Sequence, residues 1–271
     1  MASSSQPRDN RALRFYSEVL GLERLNYGMW APDDELTFDN LKKAQKRYED
    51  HIVEMIPDGT RRILDVGCGT GVLSARLHHD GFAVEGLSPS PAQQASFREK
   101  SDAPFHLARF QDFEEGEPFD CLIMSESAQY IPLDEVFQKA SACLVDGGRL
   151  IICDFFNLPN AVGIQAKSGH DLDAFRQAAE SHGFRLLVEH DVTEQAAPTM
   201  ELATEFARRA EIGIDLGTER FRERRPLTFR LAAWLLRKPI QKLERQRPLI
   251  DPAAFRENKR YMSFAFEMEG E

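Results

Sequence analysis

The stretch Asp65-Val66-Gly67-Cys68-Gly69-Thr70-Gly71 gathers the residue types best suited to holding a ligand. Glycines at 67, 69 and 71 permit a tight turn and remove the Cβ atoms that would keep a ligand away from the backbone. The helix that should follow presents unbonded N–H groups at its start. Those features suit any nucleotide, and two details narrow the choice. A dinucleotide site uses G-x-G-x-x-G with an acid about 20 positions further on. Here the third glycine arrives one residue early, and an acid, Asp65, stands two residues before the first. A carboxylate at that place repels a pyrophosphate and suits a cation such as an amino group. No Lys-Ser or Lys-Thr follows, so the phosphate-binding P-loop pattern fails.

Such a loop needs a strand before it and a helix after it, and the surrounding pattern supplies both. Short apolar runs predict strands over 62–66, 82–87, 105–108, 119–124, 149–155 and 184–190, with a closing strand over 261–268. Helices are expected over 11–20, 39–56 and 73–79, and from the Ser90-Pro91 start to about 101. Further helices follow Leu133, with Val136, Phe137, Ala140 and Leu144 on one face, and cover 171–182. In the 39–56 helix, Leu41, Ala44, Tyr48, Ile52 and Met55 form one apolar stripe. Asp146-Gly147-Gly148 is expected to turn the chain into the fifth strand. Strands alternating with amphipathic helices predict an α/β fold: a seven-stranded, mostly parallel sheet covered on both faces. Ligands of such sheets bind beyond the carboxyl ends of the strands.

The 271 residues, 42% of them hydrophobic, suffice for one such domain with additions. The expected division is an N-terminal helical lid over 1–60 and a core over 61–190. A helical cap over 191–259 and the closing strand over 260–271 complete it. The opening residues lack the apolar stretch of a signal peptide. Cys68, Cys121, Cys143 and Cys153 form no CxxC pair, so neither a metal site nor a redox dithiol is expected. A cytoplasmic location fits reduced core cysteines. The net charge of −10 argues against general nucleic-acid binding. It is unevenly spread: residues 208–247 carry a local +7 against −17 for the remainder. Within the cap, Leu227, Leu231, Trp234 and Leu235 share a helical face, while Arg230, Arg237, Lys238 and Lys242 supply charge. Three readings compete: arginines offered to an anionic substrate, contact with a membrane surface, or a solvated helix.

The segment from Asp65 to Gly71 resembles the first motif of the class I S-adenosylmethionine (SAM)-dependent methyltransferases. The similarity extends over residues 61–187, including the Phe119-Asp120 pair and the Gly147-Gly148 turn. It implies a Rossmann-like core, SAM as cofactor, and Asp65, Gly67, Cys68 and Gly69 beneath the methionine part, with Asp65 orienting the amino group. The family usually has an acid at the tip of the second strand for the ribose hydroxyls; the matching position here is Ser88. This departure resembles the cyclopropane fatty acid synthase branch, and Gln93 fits a glutamine of that branch. Ser88, Ser90 and Gln93 then offer neutral hydrogen bonds to the ribose. Glu85, three residues earlier, should point to the other face.

The same resemblance puts Phe110, Gln111 and Asp112 beside the adenine, although Phe110 and Phe113 also read as ordinary core. Beyond the fourth strand, Ser125 and Glu126, then Gln129 and Tyr130, take cofactor and substrate contacts. The segment 26–30 looks like one that folds over the cofactor, with Tyr27 on the methionine carboxylate and Tyr16 as a weaker lid residue. The alternative is that these aromatics anchor the N-terminal helices.

Methyl transfer from a sulfonium is a one-step displacement in which positioning is the main task. A base helps only if the acceptor loses a proton. The candidates for acid–base work are Glu126, Tyr130 and His170, with a solvated carboxylate and a helix-entry histidine as the plain alternatives. The leading expectation is transfer to an N or O atom of a small molecule. A lipid-modifying C-methyltransferase related to the cyclopropane synthases is the second, and a non-catalytic SAM-binding module the third. A nicotinamide oxidoreductase is disfavoured by the glycine spacing. The expected partner is a small molecule, anionic under one reading of the basic segment, and a homo-oligomer is compatible with the sequence.

Overall fold

A computed structural model describes residues 14–114, 116–225, 227, 228, 230 and 247–270. Its strands are β1 (Arg62–Val66), β2 (Ala83–Leu87), β3 (Phe105–His106), β4 (Phe119–Ser125), β5 (Leu144–Asn157), β6 (Phe184–Asp191) and β7 (Lys259–Met268). They form one sheet in the order β3-β2-β1-β4-β5-β7-β6. All pairings are parallel except those of β7, which runs antiparallel to both β5 and β6. The expected Rossmann-like sheet is therefore the observed one, with its helical insertion before the last strand.

Period-two alternation explains why the sheet is covered on both faces. Leu64, Leu122 and Phe264 join one apolar cluster with Phe137 and Phe175. Their strand neighbours Ile63, Cys121, Ile123 and Ala265 join a second with Tyr48, Ile52 and Leu77. The helices supplying these partners are α1 (Phe38–Glu54), α2 (Val72–His79), α4 (Leu133–Cys143) and α5 (Leu172–Ser181), while α3 (Pro91–Arg98) packs Phe97 into a separate cluster with Cys68 and Ala103. Their starts are chemically marked. Thr37, Ser90 and Asp171 accept hydrogen bonds from the N–H groups of Asn40, Gln93 and Ala174, and Pro91 opens α3. On α1 the buried residues are Leu41, Ala44, Gln45, Tyr48, Glu49 and Ile52, which adds two polar side chains to the expected stripe.

The Asp146-Gly147-Gly148 segment is a bulge rather than a turn into β5. Leu144 already pairs with Phe119, and the next pair is Cys121 with Arg149. Three extra residues on β5 are absorbed there, with Gly147 at φ +73°. β5 thus begins five residues earlier than the sequence pattern suggests.

The insertion between β6 and β7 comprises α6 (Thr193–Ala196), α7 (Pro198–Arg224), a 3₁₀ turn (Arg247–Ile250) and α8 (Pro252–Asn258). The first turns of α7 pack down through Met200 and Leu202, and the Thr204 hydroxyl donates to the Ile250 carbonyl at 2.7 Å. From Arg208 onward its residues are almost all exposed. Of the amphipathic set expected in the cap, Leu227 is exposed and Arg230 is described. Leu231, Trp234, Leu235, Arg237, Lys238 and Lys242 lie outside the described residues. Of the helix expected over 11–20, the described part is one π-helical turn, Phe15–Val19. Among the described residues no helix is long and apolar enough to cross a membrane.

Candidate active site

Register brings the carboxyl ends of the central strands to one edge. Val66 pairs with both Leu87 and Met124, and Ser125 with Cys153. Just past the ends of β1, β2 and β4 are the glycine loop, Ser88 and Glu126, and Asp154 of β5 follows the last pairing with β4. Above the first three lies a cleft of about 520 Å³.

Asp65, Gly67, Cys68, Gly69 and Thr70 form one wall. Gly67 sits at φ +75°, and a Cβ built on it would meet the Ser127 Cβ at 2.3 Å, so glycine is required by packing as well as conformation. Gly69, at φ +56°, differs: a Cβ there would find nothing nearer than the Gly67 carbonyl oxygen at 4.0 Å. The space over Gly69 is open cleft. The Asp65 carboxylate is buried and accepts from the Ser74 hydroxyl at 2.5 Å. Burial pushes its pKa up to about 6, against the lowering effect of that hydrogen bond. Burial likewise pushes the Cys68 thiol up, so it is a neutral lining group.

Ser88, Ser90 and Gln93 line the second wall. The Ser88 hydroxyl donates to Gln93 Oε1 at 2.5 Å and accepts from the Ser90 N–H at 3.2 Å. Glu85 points away, as alternation predicts; it ion-pairs with Arg62 and shares a hydrogen bond with His106 Nε2 at 2.6 Å. Phe110 and Gln111 line the third wall; Asp112 lies off the lining, exposed and paired with Arg109 at 2.6 Å.

The floor is made by Ser125, Glu126 and Ser127, with Tyr130 exposed at the rim. Glu126, at φ +53°, is the one non-glycine residue with positive φ among those described. Its Oε1 accepts from the Tyr27 N–H at 2.6 Å and from the Tyr261 hydroxyl at 2.7 Å. Burial pushes its pKa up to about 7, and these two donors hold it below where burial alone would put it. Next to it, Asp154 is buried and bonded by the Gln129 backbone and side-chain amides at 3.1 and 3.2 Å. Burial, and then the like charge of Glu126, push its pKa upward too.

Three candidates are placed differently from expectation. His170 is absent from the lining; its Nε2 donates to the Ala128 carbonyl at 2.9 Å and its ring stacks on Phe175. The Tyr27 ring is packed against Tyr261 and Phe255, so this residue meets the site through its backbone N–H and not its hydroxyl. Tyr16 packs with Leu22 and Trp30 in the N-terminal cluster.

Residues 24–26 line the cleft, and the segment 22–30 that carries them is fastened at several points. The Thr70 hydroxyl donates to the Glu23 carbonyl at 2.6 Å, and the Gln45 side-chain amide donates to the Asn26 carbonyl at 2.7 Å. The Trp30 indole and the Gly28 N–H both donate to Thr199 on α7. Arg24, Asn26, Tyr48 and Glu49 also line the cleft; Asn26 belongs to the segment expected over the cofactor, and the other three are marked by no local sequence motif. Glu49 is legible in the sequence only as a polar residue interrupting the inner face of α1; it holds Arg24 at 2.7 Å.

The set fits a cationic, partly nucleoside ligand. It offers a buried carboxylate at one wall, a backbone left bare at Gly69, hydroxyl and amide groups at the second wall, and an aromatic ring at the third.

Comparison with known proteins agrees with this chemistry. Residues 40–196, more than half of the chain, match a family model described as a methyltransferase domain. An uncharacterized methyltransferase of Staphylococcus carnosus is 25% identical over 132 residues, covering 46% of this chain and 64% of that protein. The chain thus spans slightly less than two thirds of that relative. The 27-O-demethylrifamycin SV methyltransferase of Amycolatopsis mediterranei is 28% identical over 206 residues, covering 68% of this chain and 74% of its own length. Among solved structures, the cyclopropane synthase MmaA2 of Mycobacterium tuberculosis superposes with a TM-score of 0.67 at 16% identity, covering 98% of this chain and 100% of that one. That likeness is one of fold.

Proposed function

Because the chain belongs to the family of SAM-dependent methyltransferases, we propose that it transfers the methyl group of SAM to an N or O atom of a small molecule held over Glu126. The observation that carries this reading is the open space over Gly69, walled by the buried Asp65 carboxylate. When bound, SAM supplies a methyl carbon that an acceptor lone pair can take while the carbon–sulfur electrons remain on sulfur.

The chain's own residues have separable tasks in this reading. Asp65 attracts the amino group of the methionine part, and Gly67, Cys68 and Gly69 let that part lie against backbone. Ser88 and Gln93 supply neutral hydrogen bonds to the ribose, and Phe110 and Gln111 flank the adenine. Ser125 lies between cofactor and acceptor. Glu126 faces the acceptor, and Tyr130 closes its rim. Residues 22–30 act as a lid that excludes water, and the insertion after β6 anchors that lid through Thr199. The two cations of the described lining, Arg24 and Arg109, are each held by a carboxylate.

The test is to supply the full chain with SAM labelled in its methyl group and a panel of small hydroxy and amino compounds. Label is expected in a small-molecule product, with S-adenosylhomocysteine released, and Asp65→Asn should cut the rate at least tenfold. Absence of both product and S-adenosylhomocysteine across the panel contradicts the reading.

A further inference from the structure

Glu126 occupies a left-handed backbone conformation that side chains other than glycine rarely adopt. Such strain persists only where surrounding contacts over-determine it. Here those contacts come from opposite ends of the chain. The Glu126 N–H donates to the Cys153 carbonyl at 2.8 Å, the Tyr27 N–H reaches its carboxylate from the N-terminal segment, and Tyr261 reaches it from β7. Tyr261 is itself fully buried, in T-shaped contact with Tyr48 of α1, whose hydroxyl lies 2.9 Å from Ser125 Oγ. The strained backbone thus carries a carboxylate that is held by two donors and is still partly open to the cleft, where it can meet a group on the acceptor.

Resting on the methyltransferase reading above, we propose that Glu126 takes the proton of the acceptor and that Tyr261 is the positioning residue that holds it for this task, so that the acceptor class is limited to groups bearing a proton, hydroxyl or N–H. As the acceptor's lone pair forms its bond to the methyl carbon, its proton passes to a Glu126 carboxylate oxygen, and the carbon–sulfur pair stays on sulfur as a neutral thioether. A tertiary amine or a thioether has no proton to give and needs no such group.

The groups facing Glu126 come from every neighbouring element. They are Tyr27 and Tyr16 from the N-terminal segment, Tyr48 from α1, Asp154 and Cys153 from β5, and Tyr261 from β7. Lys259 bears on Asp154 from the start of β7. None of those directly facing Glu126 is a cation, so the carboxylate depends on its hydrogen-bond donors to stay a usable base near neutral pH.

The test reads the carboxyl group directly. The full chain, labelled with ¹³C at glutamate side-chain carboxyls, is titrated by NMR, with Glu126→Gln assigning the resonance. Wild type should titrate near neutrality, and Tyr261→Phe should raise that midpoint by about one pH unit, a tenfold change in acidity. Tyr48→Phe, one step removed, should raise it less. An unmoved midpoint in Tyr261→Phe overturns the positioning role. In the labelled-methyl assay, product should form only from proton-bearing acceptors, and product from a tertiary amine or thioether overturns the acceptor class. If no acceptor is methylated at all, the methyltransferase reading fails, while the titration still decides what Tyr261 does.

Discussion

Gly67 and Ser127 are in contact so close that a single added carbon would not fit: a Cβ on Gly67 would lie 2.3 Å from that of Ser127. The Ser127 hydroxyl in turn donates to the Val66 carbonyl at 2.5 Å. The glycine loop and the end of β4 are thereby locked together, which fixes the cofactor wall relative to Glu126.

Gly67→Ala should therefore lower stability by about 2 kcal/mol or more, since it adds a clash to an unfavourable φ. Gly69→Ala meets open space, and its cost should be nearer 1 kcal/mol. The two variants should separate in thermal melts yet both lose affinity for S-adenosylhomocysteine, because the methyl group added at position 69 would occupy the cleft and the clash at position 67 would displace its wall.

Apo stability should fall as pH rises from about 4.3 towards 7. Glu126 has its folded pKa raised above the unfolded value, so the native state binds more protons in that window, and the penalty is complete above the folded pKa. At about 1.4 kcal/mol per pH unit, and allowing for the cleft's access to water, about 1–3 kcal/mol is at stake. Urea denaturation at several pH values should show Glu126→Gln gaining stability over wild type at pH 8 and not at pH 4. Asp65 and Asp154 shift in the same direction, so some slope should survive.

Thr70→Val removes the donor to the Glu23 carbonyl, a hydrogen bond worth about 1 kcal/mol. Amide exchange in residues 22–30 should accelerate several-fold with little change in the β-sheet amides. Equal acceleration throughout would show that the mutation unfolds the domain rather than loosening the lid.

His170→Ala should cost about 1–2 kcal/mol of stability through loss of its contact with the Ala128 carbonyl and Phe175. The pH dependence of turnover should stay in place. A displaced profile would restore His170 to the acid–base candidates.

What the sequence disclosed and what it hid follow one physical division. The loop from Asp65 to Gly71, the Ser90-Pro91 helix start and the strand alternation are local, so short-range pattern suffices to find them. Glu85 turning away from Ser88 follows from period two alone. The bulge at Gly147 reads as a turn in the sequence because Leu144 pairs with Phe119, a partner 25 residues away. Tyr27 reads as a hydroxyl donor until Tyr261 is seen packed on its ring, 234 positions later. Tyr48, Glu49 and Tyr261 join the site only through tertiary contact, and on their own elements they look like core or interruptions of it.

Occupation of the cleft above Gly69 by SAM can be read from calorimetry of the full chain with S-adenosylhomocysteine. One site of roughly micromolar affinity is expected, weakened at least tenfold in Gly69→Val, with no heat from NAD. Saturable binding of NAD with none of S-adenosylhomocysteine, or S-adenosylhomocysteine affinity unchanged in Gly69→Val, would contradict it.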